Sequence, residues 1–234
     1  MGKYLICACA SRELMDKGRV ARLAAELTAA GHSVRIIPDL CRWVEQGSKA
    51  EPDQTAKEEL AKLSEETVIA CYPRAVIQLL NAAGIQAKEV LDLRNNTPEA
   101  LFPEIAETGD LAPWEAEIKT FPVEEGTDAW FPVIDRDRCI GCRRCYDFCL
   151  FGTYVLEDGK VVVAHPSHCK NNCPACARYC PKQAIIFPKY PKSFINGGLD
   201  NEEPVMEDID TQYAEALRKR LEARRQHGTL LRKK

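Results

Sequence analysis

Eight of the twelve cysteines in this 234-residue chain fall into two tight runs, Cys139-Cys142-Cys145-Cys149 and Cys169-Cys173-Cys176-Cys180. Runs this dense leave little freedom to the backbone around them. Structural zinc sites usually pair two C-x2-C elements across a longer gap, whereas three thiols within the seven residues Cys139 to Cys145 crowd a single tetrahedral ion. Disulfides persist in oxidising compartments. The chain opens Met1-Gly2-Lys3-Tyr4, without the charged region and cleavable apolar stretch that would direct it to one. What remains is a polynuclear metal–sulfur group, whose ligand sulfurs stand at the corners of a tetrahedron. A short loop wraps only about three such ligands around one group, and the last must come from elsewhere in the chain.

The spacing resembles the bacterial two-cluster ferredoxin pattern C-x2-C-x2-C-x3-C-P, in which the last cysteine of each run ligates the other [4Fe–4S] cluster. Over Asp135 to Phe187 that resemblance implies Cys139, Cys142, Cys145 and Cys180 around cluster one, and Cys169, Cys173, Cys176 and Cys149 around cluster two. Two positions depart from the pattern. Lys170, Asn171 and Asn172 separate the first two cysteines of the second run, and Leu150 follows Cys149, whereas Cys180-Pro181 keeps the rule. A local distortion at cluster two, with a potential differing from that of cluster one, is the expectation.

The chain is 45% hydrophobic, carries a formal charge of -3 and has no apolar run approaching a membrane span. A soluble, cytoplasmic, two-domain protein without direct membrane insertion is expected. Its charge is uneven: residues 132–189 hold nine Lys or Arg against five Asp or Glu, while residues 1–110 hold 13 against 17. Arg136, Arg138, Arg143, Arg144, Lys170, Arg178 and Lys182 would offset the negative charge gained on cluster reduction, raise the potential, and suit an acidic partner surface. They read equally well as ordinary solvated side chains.

The first hundred residues alternate apolar runs with amphipathic stretches. Strands are expected over Lys3 to Ala8, Ser33 to Ile37, Thr67 to Ala70 and Glu89 to Leu93, and helices over Lys17 to Ala30, Thr55 to Glu65 and Ala75 to Ala83. That alternation predicts an α/β parallel sheet of flavodoxin or Rossmann type, followed by an α+β ferredoxin-like two-cluster domain. Cys7, Cys9, Cys41 and Cys71 all fall at or beyond the carboxyl ends of the predicted strands, the edge at which ligands bind in open parallel sheets. Placement alone leaves two readings open, a third cluster or four small core residues.

Cys7-x-Cys9, Cys41 and Ala70-Cys71-Tyr72-Pro73-Arg74 together resemble the amino-terminal lobe of the heterodisulfide reductase A subunit. The resemblance covers roughly residues 1–108 and implies a third [4Fe–4S] cluster on Cys7, Cys9, Cys41 and Cys71, with Arg74 as a donor to one of its thiolates; Arg74 reads equally well as a cap, through solvent, at the start of the following helix. In that family a flavin domain with a glycine-rich fingerprint follows. No G-x-G-x-x-G and no P-loop occur here, so no flavin or nucleotide is expected on this chain.

Residues 109–131 read as an irregular connector in which Trp114 and Trp130 are candidate interface anchors or simply buried aromatics. Residues 132–190 form the two-cluster domain, with a hairpin over Thr153 to Val163 turning at Asp158-Gly159, Ala184 to Phe187 returning beside it, and Ile140, Phe148, Val155, Val162, Ile185 and Phe187 limiting water at the clusters. Residues 191–234 form a tail with a helix from Ile209 to about Arg225. Its basic end suits anchoring to a partner subunit or plain solvation, and without interleaved aromatics it does not argue for nucleic acid. His165 and His168 read as outer neighbours of the second run, and Ser11 as a helix-start residue.

The resulting expectation is an iron–sulfur electron-transfer subunit with no catalytic centre of its own. It relays single electrons through about three [4Fe–4S] clusters to flavoprotein or metalloenzyme partners, in an anaerobic complex of heterodisulfide-reductase-like type. The alternatives are a two-domain flavin-binding oxidoreductase with a ferredoxin relay, and a non-redox scaffold with zinc-filled sites.

Overall fold

The apolar run Lys3–Cys7 forms β1, the centre of a parallel sheet in which Leu5 and Ile6 are fully buried. Asp16 starts α1 (Lys17–Ala29): its side chain accepts from the Arg19 N–H at 2.7 Å, and Val20, Leu23, Ala24 and Leu27 form its buried stripe. The cap is therefore Asp16 and not Ser11, whose hydroxyl is engaged elsewhere. Next come β2 (Ser33–Ile37), α2 (Leu40–Gly47), α3 (Gln54–Ala61), β3 (Thr67–Ala70), α4 (Pro73–Ala82) and β4 (Glu89–Asp92). The strand order is β2-β1-β3-β4 and every pairing is parallel. Buried on both faces, β3 is apolar without alternation, as such strands are. The coordinates are a computed structural model, and the residues described are 1–47, 54–105, 109–121, 128–192 and 194–198.

Helices also form where none was expected. Cys41 follows β2 across the short Pro38-Asp39 link and lies in the first turn of α2, where Asp39 supplies a side-chain acceptor for the Arg42 N–H at 3.2 Å. The supposed irregular connector contains α6 (Ala112–Lys119), after the short α5 (Pro98–Leu101). α6 lies against α1 and buries Ile118, while Trp114 packs partly buried on the same core.

The remainder is built from β5 (Val133–Ile134), α7 (Arg144–Phe148), β6 (Tyr154–Glu157), β7 (Lys160–Val163), α8 (Ala175–Tyr179) and β8 (Ile185–Ile186). β6 and β7 form the expected hairpin, with Asp158 and Gly159 both at positive φ (48° and 77°), as a two-residue primed turn requires. β8 does not return beside that hairpin. It pairs antiparallel with β5, and the Asp135 N–H extends the ladder to the Ala184 carbonyl at 2.7 Å. This pairing ties the chain just before Cys139 to the chain just after Cys180, so the two cysteine runs are joined at their far ends.

Gly197, at φ +92°, closes this part onto the start of α4: an added Cβ would stand 2.7 Å from Ala75 Cβ and 3.0 Å from its backbone nitrogen. Gly197→Ala should therefore cost about 1–3 kcal/mol through overpacking and backbone strain. Thermal denaturation should show a clear fall in Tm, and an unchanged Tm would contradict this account. The tail helix expected over Ile209 to Arg225 lies outside the described residues. Among the described residues no helix is long and apolar enough to cross a membrane.

Candidate metal centres

Around the first run, the Cys139 N–H donates to the Asp135 carbonyl at 3.0 Å. Gly141 and Arg143 then turn the chain at positive φ (69° and 61°) into the single-turn α7, which holds Cys145. Cys139, Cys142 and Cys145 line one cavity together with Cys180 of the second run. The Ala184 N–H donates to Cys180 Sγ at 3.3 Å. Burial, followed by the neighbouring Cys180 and Cys139, pushes the Cys145 thiol up to about 11.

The second run gathers with Cys149. Burial, then the neighbouring Cys176, Cys173 and Cys149, pushes the Cys169 thiol up to about 12. Tyr154, itself buried, donates its hydroxyl to Cys176 Sγ at 3.1 Å. Cys149 goes the other way. Burial raises it, but hydrogen bonding with the Thr153 hydroxyl, 3.5 Å from its sulfur, and with the backbone of Phe151 to Thr153 outweighs burial and lowers it. Leu150 in place of proline thus sits at the head of a loop whose polar groups serve a sulfur. The added residue of the second run gives room for Asn172 at φ 61° and for Asn171, whose amide donates to Asp128 at 3.0 Å and whose carbonyl accepts from Arg12 at 2.7 Å.

The amino-terminal cysteines also converge. Cys7, Cys9, Cys41 and Cys71 line one cavity at the carboxyl edge of β1 and β3, where the order β2-β1-β3-β4 reverses direction. The Leu40 N–H donates to Cys7 Sγ at 3.3 Å. Burial is the main cause that raises all four thiols, Cys7 to about 12 and Cys71 to about 11. At Cys71 the Arg94 guanidinium opposes that rise, and Arg94 Nη1 is buried without a hydrogen-bond partner.

The donor sets fit an iron–sulfur group. All twelve cysteines are free thiols, and N–H or O–H groups already point at several sulfurs, the kind of outer contact that tunes a cluster. Burial keeps most of them protonated unless a metal supplies the positive charge that deprotonates them. Among the described residues no three His, Cys, Asp or Glu side chains form a group that could hold one metal ion. Two of the thiol sets line cavities of their own. Non-glycine residues at positive φ lie in or beside each set, Cys9 (47°), Arg143 (61°) and Asn172 (61°) among them. Such a conformation costs on the order of 1–3 kcal/mol and persists where the surroundings impose it.

Several neighbours differ from expectation. Arg74 donates to Asp135 Oδ2 and to the Gln183 carbonyl, both at 2.6 Å, and not to a thiolate of the amino-terminal set. Ile140, in the loop before α7, lines the first cysteine cavity but is 61% exposed, and Phe148 is 47% exposed at the end of α7, a single turn with no buried residue. His165 and His168 stack on each other at 4.8 Å. Residue-by-residue reading missed Asp39, Asp128 and Lys189, all buried. Only the extra residue in the second run hinted at Asn171.

Residues 131–154 match the 4Fe-4S binding domain family. An uncharacterized ferredoxin of Methanocaldococcus jannaschii is 49% identical over 61 residues, 26% of this chain and 42% of that one. Ferredoxin-3 of Nostoc sp. is 38% identical over 79 residues, 24% of this chain and 80% of that one. The chain belongs to the [4Fe–4S] ferredoxin family. It is a ferredoxin-like iron–sulfur electron carrier with [4Fe–4S] clusters, and the shared stretch is about a quarter of its length. Pyruvate synthase subunit PorD of Thermotoga maritima is 35% identical over 65 residues, 26% of this ferredoxin and 65% of that subunit.

Proposed function

We propose that the chain is an electron-transfer subunit with three [4Fe–4S] clusters, organised as an amino-terminal α/β lobe, a connector, a two-cluster ferredoxin domain and a tail. Cys139, Cys142, Cys145 and Cys180 hold one cluster, Cys149, Cys169, Cys173 and Cys176 the second, and Cys7, Cys9, Cys41 and Cys71 the third. The observation that carries this reading is the gathering of twelve free thiols into three sets of four, each drawn from separate stretches of sequence. Single-electron relay needs ligation, insulation and potential, and no bond-making side chain.

The partners in this reading are flavoprotein or metalloenzyme subunits of an anaerobic complex of heterodisulfide-reductase-like type. The similarity to a subunit of pyruvate synthase supports assembly with other redox subunits. So does the surface beside the first run. Ile140, Phe148, Leu150 and Phe151 are 61%, 47%, 92% and 43% exposed, and exposed Arg143, Arg144 and Lys182 line the adjoining cysteine cavity. Apolar side chains with a basic rim suit an acidic partner face.

Anaerobic reconstitution tests the reading. The chain should become coloured, bleach on one-electron reduction by dithionite and develop paramagnetic resonance signals of reduced clusters. Colourless, iron-poor protein that takes up zinc instead would overturn it.

A further inference from the structure

The cavity lined by the amino-terminal thiols also contains two ions of opposite sign, Asp39 and Lys189. Lys189 does not come from the α/β lobe. It follows β8 directly after Pro188, is 2% exposed, and places its ammonium against the Asp39 carboxylate and 2.7 Å from the Ser11 hydroxyl. Ser11 in turn donates to Asp39 at 2.5 Å, and Asp39 keeps its other oxygen on the backbone of α2. Buried ion pairs of this kind are often no more stabilising than apolar residues of the same shape. Stability alone is therefore a weak reason for a lysine and an aspartate beside four thiols.

We propose that Lys189 and Asp39 are an opposed pair of positioning charges that set the reduction potential of the amino-terminal thiol site, the lysine being delivered by the ferredoxin part. The inference rests on the reading that these thiols hold a cluster. On reduction the site takes one electron from the reductant and becomes more negative by one charge, with no bond or proton changed. A buried cation in the same cavity favours that state and a buried carboxylate opposes it, in surroundings where charge is poorly screened. The same network continues away from the cavity. Asp128 Oδ2 lies 4.0 Å from Lys189, and Arg12 joins Asp128 to Asn171 in the second-run loop. The amino-terminal site is thus electrostatically incomplete without the ferredoxin part.

The test uses the full chain, reconstituted and titrated with dithionite, following each paramagnetic resonance component and the iron content. Lys189→Met should move one component, the one that Cys71→Ser abolishes, to lower potential. Asp39→Asn should move the same component to higher potential, and Lys189→Arg should leave it in place. The other components should not move. The double variant Lys189→Met/Asp39→Asn leaves no buried ion unpaired, and its potential should fall below that of Asp39→Asn, which reports the lysine even where Lys189→Met alone does not fold. Shifts of one sign in both single variants, or no shift at full iron content, would overturn the proposal. A wild-type chain that binds only about eight irons would instead remove the third cluster.

Discussion

Cys71→Ser should remove about four of roughly twelve irons from the reconstituted chain, with matching loss of sulfide, and leave two sets of cluster signals unchanged. The thiol follows β3, and the cavity has no further thiol beyond Cys7, Cys9 and Cys41 to take its place. Cys180→Ser should instead cost the cluster of Cys139, Cys142 and Cys145, although it belongs to the second run, since it lines their cavity. Cys149→Ser should likewise disturb the cluster of Cys169. Iron and sulfide analysis with paramagnetic resonance distinguishes these outcomes. If Cys180→Ser and Cys176→Ser removed the same component, the crossed ligation would be wrong.

Arg12→Met should destabilise the chain by about 3–5 kcal/mol, because it strips the partner from a carboxylate inside the protein. The Asp128 side chain is 3% exposed and accepts from Arg12 Nε at 2.6 Å and Nη2 at 3.3 Å. The same guanidinium lies 4.4 Å over Trp130, which stacks on Phe187 at 5.1 Å. Arg12→Met/Asp128→Asn should recover much of the loss, since no charge is then left buried alone. Anaerobic thermal unfolding measures both, and a double variant as unstable as the single one would contradict the argument. The effect has a pH signature. Burial raises the Asp128 carboxyl, but Arg12 and Asn171 outweigh it and hold the group below its ordinary 3.8. A depressed carboxyl contributes fully above its unfolded value and loses that contribution as pH falls through the folded one. The gap between wild type and Arg12→Met should therefore close as the pH drops below about 4.

Some of this was readable residue by residue. The strands Ser33–Ile37 and Thr67–Ala70 stand where the apolar runs put them, as does the turn at Asp158-Gly159, because local pattern and burial agree there. α6 was unreadable for the opposite reason. Its eight residues begin with a proline at the first turn and carry only one buried side chain, Ile118, so no periodic stripe announces a helix. The exposure of Phe148 was also hidden, since a single-turn helix presents apolar residues to solvent without changing its composition. Arg74 could be placed next to Cys71 by number alone, but its direction toward Asp135, 61 positions away, depends on which lobe packs against α4.

From sequence spacing alone came the chemical expectation: runs of thiols this dense crowd a single zinc ion and match the spacing of a polynuclear cluster, and the alternation in the first hundred residues argues for a parallel sheet. Tertiary structure decided which charges face those thiols. Lys189 and Asp39 are 150 positions apart, and Arg12 and Asn171 are 159 apart. No local propensity links such residues. They meet only because the β5–β8 pairing and the close approach of Gly197 to Ala75 fold the end of the ferredoxin part back over the carboxyl edge of the sheet.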